Sequence, residues 1–152
     1  MREPNHVFFM RQAYNEALRA LEIDDVPIGC VIERGGEIIA AGYNRRNAEK
    51  STLRHAELIA IEEACRAEGD WRLEGCGIYV TVEPCPMCAG AILQARMSFL
   101  AFGAENPKAG CAGSVCNLLR QPGFNHKVEV VPGIMREECA ALMREYFKRF
   151  RA

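Results

Sequence analysis

The sequence predicts an α/β fold of three layers, α/β/α, built on a five-stranded mixed sheet with helices on both faces. Three observations predict it. Segments with helical apolar spacing alternate with short apolar runs, in the order helix, strand, strand, helix, strand, helix, strand, short helix, strand, helix. The first two strands are separated only by Arg34-Gly35-Gly36-Glu37, a hairpin turn, whereas strands joined through helices imply parallel pairing. The length, 152 residues, suits one domain with a single core, spanning residues 1–152.

A first helix is expected from about His6 to Leu21, with Asn5 as N-cap and with Val7, Met10, Tyr14, Ala17, Leu18 and Leu21 at helical spacing. Asp24-Asp25 ends it. Pro27 to Ile32 is a continuous apolar run, as in a strand buried on both faces. After the Gly-Gly turn, Glu37 to Tyr43 returns as the second strand and delivers Asn44. A polar loop leads to a helix from near His55 to about Glu68, with Leu58, Ile61 and Cys65 facing inward. The third strand is Gly77 to Val82. Glu83-Pro84 ends it, and a helix starts at the cysteines and runs to about Ala95. Ser98 to Phe102 is the fourth strand. Gly103 to Gly113 is a polar loop with three glycines, longer than packing requires, which often signals function. A short helix near Ser114 to Leu119, a strand at Lys127 to Val131 and a helix from about Met135 to Arg151 complete the chain.

Hydrophobic residues make up 49% and charged residues 26%, the composition of an ordinary globular protein. The net charge of −1 excludes an overall basic excess, so any nucleic-acid contact must come from a local patch. No secretory signal opens the chain and no stretch approaches a membrane span; a cytoplasmic protein is expected. Without a signal, the eight cysteines argue weakly for disulfides. Cys30, Cys65, Cys76 and Cys139 read as buried small hydrophobes, while Cys111 and Cys116, in a Gly-rich region, are left open.

The chemistry lies in a split constellation, His55-Ala56-Glu57 and Pro84-Cys85-Pro86-Met87-Cys88. One imidazole and two thiolates are the donors of a catalytic zinc with an open fourth position for water. Both halves sit at expected helix starts, where free N–H groups favour negative charge and lower thiolate pKa values. The stretch between them holds a helix, a loop and a strand, so the two starts can meet at one end of adjacent strands, where ligands bind in open α/β sheets. Glu57 is not needed as a ligand and can carry a proton from the activated water. That set suits hydrolytic attack on an electron-poor ring carbon. A structural zinc site would need a fourth protein ligand. His6 and His126 lack ligand spacing, but a spare cysteine could serve. Cys-x-x-Cys alone could be redox-active; with His-x-Glu it signals a zinc deaminase.

These words match the cytidine deaminase superfamily. Val26-Pro27-Ile28-Gly29, Gly42-Tyr43-Asn44-Arg45, Thr81 to Ala91, Lys108 to Ser114 and Phe124-Asn125-His126 narrow the resemblance to the bacterial tRNA-specific adenosine deaminases, over nearly the whole chain. The resemblance implies a cytidine-deaminase-like fold, one Zn2+ per chain, a homodimer, and conversion of wobble adenosine to inosine in a tRNA anticodon stem-loop. It implies that Asn44 contacts the purine, that Glu57 shuttles protons at N1 and the leaving amine, and that Ala56 with Pro84-Cys85 shapes the pocket. Lys108 would touch the RNA backbone, and the last helix would supply an aromatic. Helical geometry points to which one: Leu142, Met143, Tyr146 and Phe150 share a stripe with Cys139, and Phe147 lies about 80° away, placed either to stack on a base or to pack in a dimer or core contact. Lys148, Arg149 and Arg151 make this end basic, as phosphate contact needs.

Two departures stand out. Ser51-Thr52-Leu53-Arg54 precedes His55 where the family often has Asp-Pro-Thr-Ala, placing Arg54 beside the site to meet phosphate or solvent. Asn106 stands where the family commonly has Asp, near the substrate's sugar-phosphate backbone. A neutral amide there repels phosphate less and loses an acceptor for a 2′-OH, which favours activity on adenine in single-stranded DNA. Other readings are a free guanine or cytosine deaminase, and a non-catalytic zinc-stabilised RNA-binding protein. Asn125 and His126 read as hydrogen-bonded loop residues, Trp71 as a core or interface anchor.

Overall fold

A computed structural model describes residues 5–149. The elements are α1 (His6–Glu22), β1 (Gly29–Arg34), β2 (Glu37–Tyr43), α2 (Ala56–Glu68), β3 (Cys76–Val82), α3 (Pro86–Gln94), β4 (Phe99–Ala104), a 3-10 turn (Leu118–Arg120), β5 (Glu129–Val131) and α4 (Arg136–Lys148). The expected three layers are present. The sheet order is β2-β1-β3-β4-β5. β3, β4 and β5 pair parallel, while β1 is antiparallel to both β2 and β3. The connection through α2 therefore joins two co-directional strands by passing over β1, so helix-linked strands are parallel here without all being neighbours.

Side chains alternate across the sheet as a two-residue period requires. Cys30, Ile32, Ile78, Val80, Leu100 and Phe102 face α2 and α3, where they meet Ala56, Ala60, Ala64, Ala89 and Ile92. Val31, Tyr79 and Ala101 face the other way, onto Phe9, Met10 and Ala13 of α1 and Cys139 of α4. The Tyr79 hydroxyl would be an unmet polar group in that layer, but His6 Nδ1 lies 2.7 Å from it.

Asn5 caps α1 by accepting the Phe8 N–H at 3.1 Å, as expected. The buried face of α1 differs from the expected stripe. Phe9, Met10, Ala13, Ala17 and Ala20 are buried, whereas Val7 and Leu18 are exposed. The reason is close approach: β1 meets α1 at Gly29, where a Cβ would collide with the Ala13 carbonyl. Gly42 does the same for α2; a Cβ there would lie 2.5 Å from the Ala56 carbonyl oxygen. Likewise, Ala56, Ala60 and Ala64 are the innermost apolar residues of α2, and Leu58, Ile61 and Cys65 are half-buried.

Three further expectations change. The segment 114–117 is not helical; Ala112 and Asn117 form an isolated antiparallel bridge, and the 3-10 turn starts at Leu118. Trp71 is 58% exposed, with the guanidinium groups of Arg72 and Arg96 over its ring, so it is not a core residue. Phe150 and Arg151, assigned to the last helix by sequence, lie outside the described residues. Among the described residues no helix is long and apolar enough to cross a membrane.

Candidate active site and metal centre

β2 and β3 run the same way, so their C-terminal ends open on one edge of the sheet. From that edge the chain enters α2 and α3, with His55 and Cys85 as the N-cap residues. Neither side chain caps its own helix. They turn to each other instead. His55 Nδ1 lies 3.7 Å from Cys85 Sγ and 3.5 Å from Cys88 Sγ, and the three ligand atoms fall within 4.8 Å of one another. A tetrahedral zinc with S at about 2.3 Å and N at about 2.0–2.1 Å holds those atoms about 3.6 Å apart. The donor set and its spacing therefore fit zinc. Among the described residues this is the one His/Cys/Asp/Glu cluster with metal-holding geometry.

The three groups are coupled through their mutual hydrogen bonds. The Cys88 hydrogen bond, with help from His55 and against desolvation, holds the Cys85 thiol down at about 4. Cys88 is raised in turn, by Cys85 and by burial. His55 is raised by its hydrogen bond to Cys85. Glu57 is 4% exposed, and burial pushes its carboxyl up to about 7. Such a group gives and takes protons near neutrality.

A cavity of about 270 Å³ opens over this cluster. Of the residues expected at the site, Asn44, His55, Ala56, Glu57, Cys85, Asn106 and Phe147 line it. Cys88 lies buried beneath. Pro84 is buried and off the lining; its carbonyl accepts the Cys111 N–H at 2.9 Å. Lys108 is exposed on the loop outside the cavity. Phe147 is 45% exposed and Tyr146 5%. Arg54 pairs with Glu49 at 3.1 Å. At the end of α4, Lys148 pairs with Glu145 and Arg149 with Asp24. His126 Nε2 sits 2.9 Å from the Met97 carbonyl, as befits a loop residue.

Two buried carboxylates that the sequence reading passed over organise the walls. Asp25, fully buried, accepts N–H groups of Val26, Asn47 and Ala48 and the Asn44 amide. Asn44 Nδ2 also donates to the Val26 carbonyl, and its Oδ1 accepts the Arg46 N–H, leaving one Oδ1 lone pair for the cavity. Glu83, 2% exposed, accepts N–H groups of Asn106, Ala112 and Ser114 and the Ser114 hydroxyl. Burial alone would raise its pKa; these donors, led by Ser114, hold it below the usual carboxylate value. Glu83 lines the cavity too, and Arg46, Val26, Ile28, Val82 and Ala109, to which the sequence reading gave no role at the site, complete the lining. The signal for Glu83 was available, as a carboxylate directly after a strand without a charged residue. Asp25→Ala would strand four donors and is expected to cost about 3 kcal/mol, a fall of roughly 6–12 °C in Tm. A melting shift under 2 °C would refute this role.

The profile of the cytidine and deoxycytidylate deaminase zinc-binding region matches residues 3–104. The tRNA-specific adenosine deaminase of Bacillus subtilis (strain 168) is 48% identical, over 94% of this chain and 89% of its own length. A solved structure from a study of A-to-I editing by tRNA:A34 deaminases at the wobble position of transfer RNA superposes with a TM-score of 0.85. It is 41% identical and covers 89% of this chain and 98% of that one. A guanine deaminase from Nitrosomonas europaea shares the fold at TM-score 0.77 and 21% identity, over 96% of this chain and 86% of that one. With the zinc-binding words in register and the donors at metal-binding distance, the chain belongs to the cytidine and deoxycytidylate deaminase zinc-binding family.

Proposed function

We propose that this chain, as a single domain, is a zinc-dependent hydrolase that converts adenosine to inosine at the wobble position of a tRNA anticodon, releasing ammonia. The observation that carries the reading is the placement of Glu57 in one 270 Å³ cavity with the His55–Cys85–Cys88 donor set. The identity to a tRNA-specific adenosine deaminase over 94% of the chain supports the choice of substrate.

His55, Cys85 and Cys88 would hold the metal. When bound, zinc supplies a Lewis acid that makes water a nucleophile at neutral pH. Glu57 takes the first proton that water loses and delivers it to N1 as C6 is attacked, then takes the second, from the hydroxyl now on C6, and passes it to the departing amine. Burial suits it to that work, since its carboxyl sits near 7. Asn44, held by Asp25, offers Oδ1 to the purine, while Ala56 at the start of α2 and Cys85 bound the ring, with Pro84 behind them fixing the turn. Asn106 and Lys108 lie along the strand's backbone, and Phe147 stacks on a neighbouring base. The enzyme acts as a homodimer in the cytoplasm, an oligomeric state that light scattering reads directly.

The test is incubation of the zinc-loaded protein with an anticodon stem-loop carrying wobble adenosine, beside free adenine, guanine and cytosine. Inosine at that one position is expected. Faster conversion of a free base, or no inosine, overturns the reading. Phe147→Ala is expected to raise KM for the stem-loop roughly tenfold, from the ~1–3 kcal/mol of a base–aromatic stack, with Tm unchanged. An unaltered KM removes Phe147 from the interface.

Asn106 bears on the choice of strand. Its Oδ1 accepts the Ala109 N–H at 3.2 Å, a turn that Asp supports equally. Asn106→Asp therefore changes charge and leaves the loop's geometry alone. Its DNA-to-RNA turnover ratio on matched hairpins is expected to fall below that of the native protein. Equal ratios would refute a part for Asn106 in strand choice.

A further inference from the structure

Two cysteines that the metal does not use share one turn: Cys111, packed in the apolar layer that also holds Cys30 and Cys76, and Cys116, exposed outside it. Cys111 and Cys116 face each other across the turn that follows the 105–110 loop, with their Sγ atoms 3.1 Å apart. A disulfide bond is about 2.05 Å long, so closure asks about 1 Å of relative movement. The backbone already holds the two in register. Gly113 donates to the Cys116 carbonyl at 2.9 Å, Leu118 to the Cys111 carbonyl at 3.1 Å, and Ala112 bridges Asn117. The pair is also asymmetric. Cys111 is 2% exposed and anchored by its N–H to Pro84, whereas Cys116 is exposed to solvent. One sulfur is fixed and the other is open to a reagent.

We propose that Cys111 and Cys116 form a reversible thiol–disulfide site, closed by a low-molecular-weight disulfide of the glutathione type. The Cys116 thiolate attacks one sulfur of the oxidant, forming a mixed disulfide and expelling one thiolate. The Cys111 thiolate then attacks Cys116 Sγ, forming the Cys111–Cys116 bond and expelling the second. Two electrons pass from the protein thiols to the oxidant, and the two thiol protons end on the two released thiolates. Burial pushes the Cys111 thiol up to about 12, consistent with Cys116 as the group that meets the oxidant first. The bond links residues 111–116 on the segment that Glu83 fastens through Ala112 and Ser114. The cavity wall then carries a covalent ring beside it.

Trypsin isolates the site, because the peptide Ala109 to Arg120 holds these two cysteines and no others. The zinc-loaded protein is treated with oxidised glutathione, remaining thiols are alkylated, and peptides are weighed. The expected result is an unalkylated 109–120 peptide lighter by two hydrogens, reverting on treatment with dithiothreitol, with zinc content unchanged. In Cys116→Ser the same peptide should carry one alkyl group at Cys111 and no glutathione. A persistent glutathione adduct on Cys116, or full alkylation of both thiols after treatment, overturns the proposal.

Discussion

Glu57→Gln is expected to lower the turnover of wobble adenosine by about 10³-fold or more while zinc stays bound and Tm holds. The size follows from what positioned general acid–base groups contribute, roughly 10²–10⁴-fold, with one carboxylate proposed for successive proton transfers. Gln matches Glu in shape, so the helix start and the cavity floor are preserved. What disappears is a group poised near 7 by burial. Since a buried carboxylate is a cost to the fold, its neutral isostere leaves stability equal or slightly higher. Single-turnover kinetics with metal analysis on the same sample decide it. Activity within tenfold of the native enzyme would remove Glu57 from the chemistry.

Cys88→Ser is the second large effect. Zinc should fall from one per chain to a trace after dialysis against a chelator, and turnover should vanish with it. The native protein should also melt lower without its metal. At a hundredfold excess over Kd, a ligand that binds only the folded state adds about 2.7 kcal/mol, which in a domain of this size is roughly 5–10 °C. The variant should show no such difference between zinc and chelator. Native zinc content in Cys88→Ser would mean that a spare cysteine or another group completes the site.

Much of the site was legible because its logic is local. His55 and Cys85 were expected at helix starts and are the N-caps of α2 and α3. The hairpin was readable from Gly35-Gly36, whose φ angles of 59° and 89° are those such a turn demands. Tyr146 and Phe147 were expected to differ in burial by their angle around the helix, and they do. What escaped was set by distant partners. The buried face of α1 is largely alanine, and a pattern weighted towards large apolar residues follows Val7 and Leu18 instead. Apart from the adjacent Val26, Asp25 and Glu83 collect N–H groups from 19 to 31 residues away, beyond any window of spacing. Ser114 looked like a helix start, yet its N–H and that of Ala112 are taken by Glu83, and the segment turns instead of coiling.

The empty side of Gly42 has a consequence for how this enzyme can vary. A single methyl there would meet the first turn of α2, the turn that carries Ala56 and Glu57 and is capped by His55. His55, Glu57 and Ala56 would shift together, through a position that lines no part of the cavity. In a saturation library selected for activity, position 42 should admit no residue but glycine. Val7, Leu53 and Phe124, far larger side chains that stand in solvent in the single chain, should by that measure be freer to change.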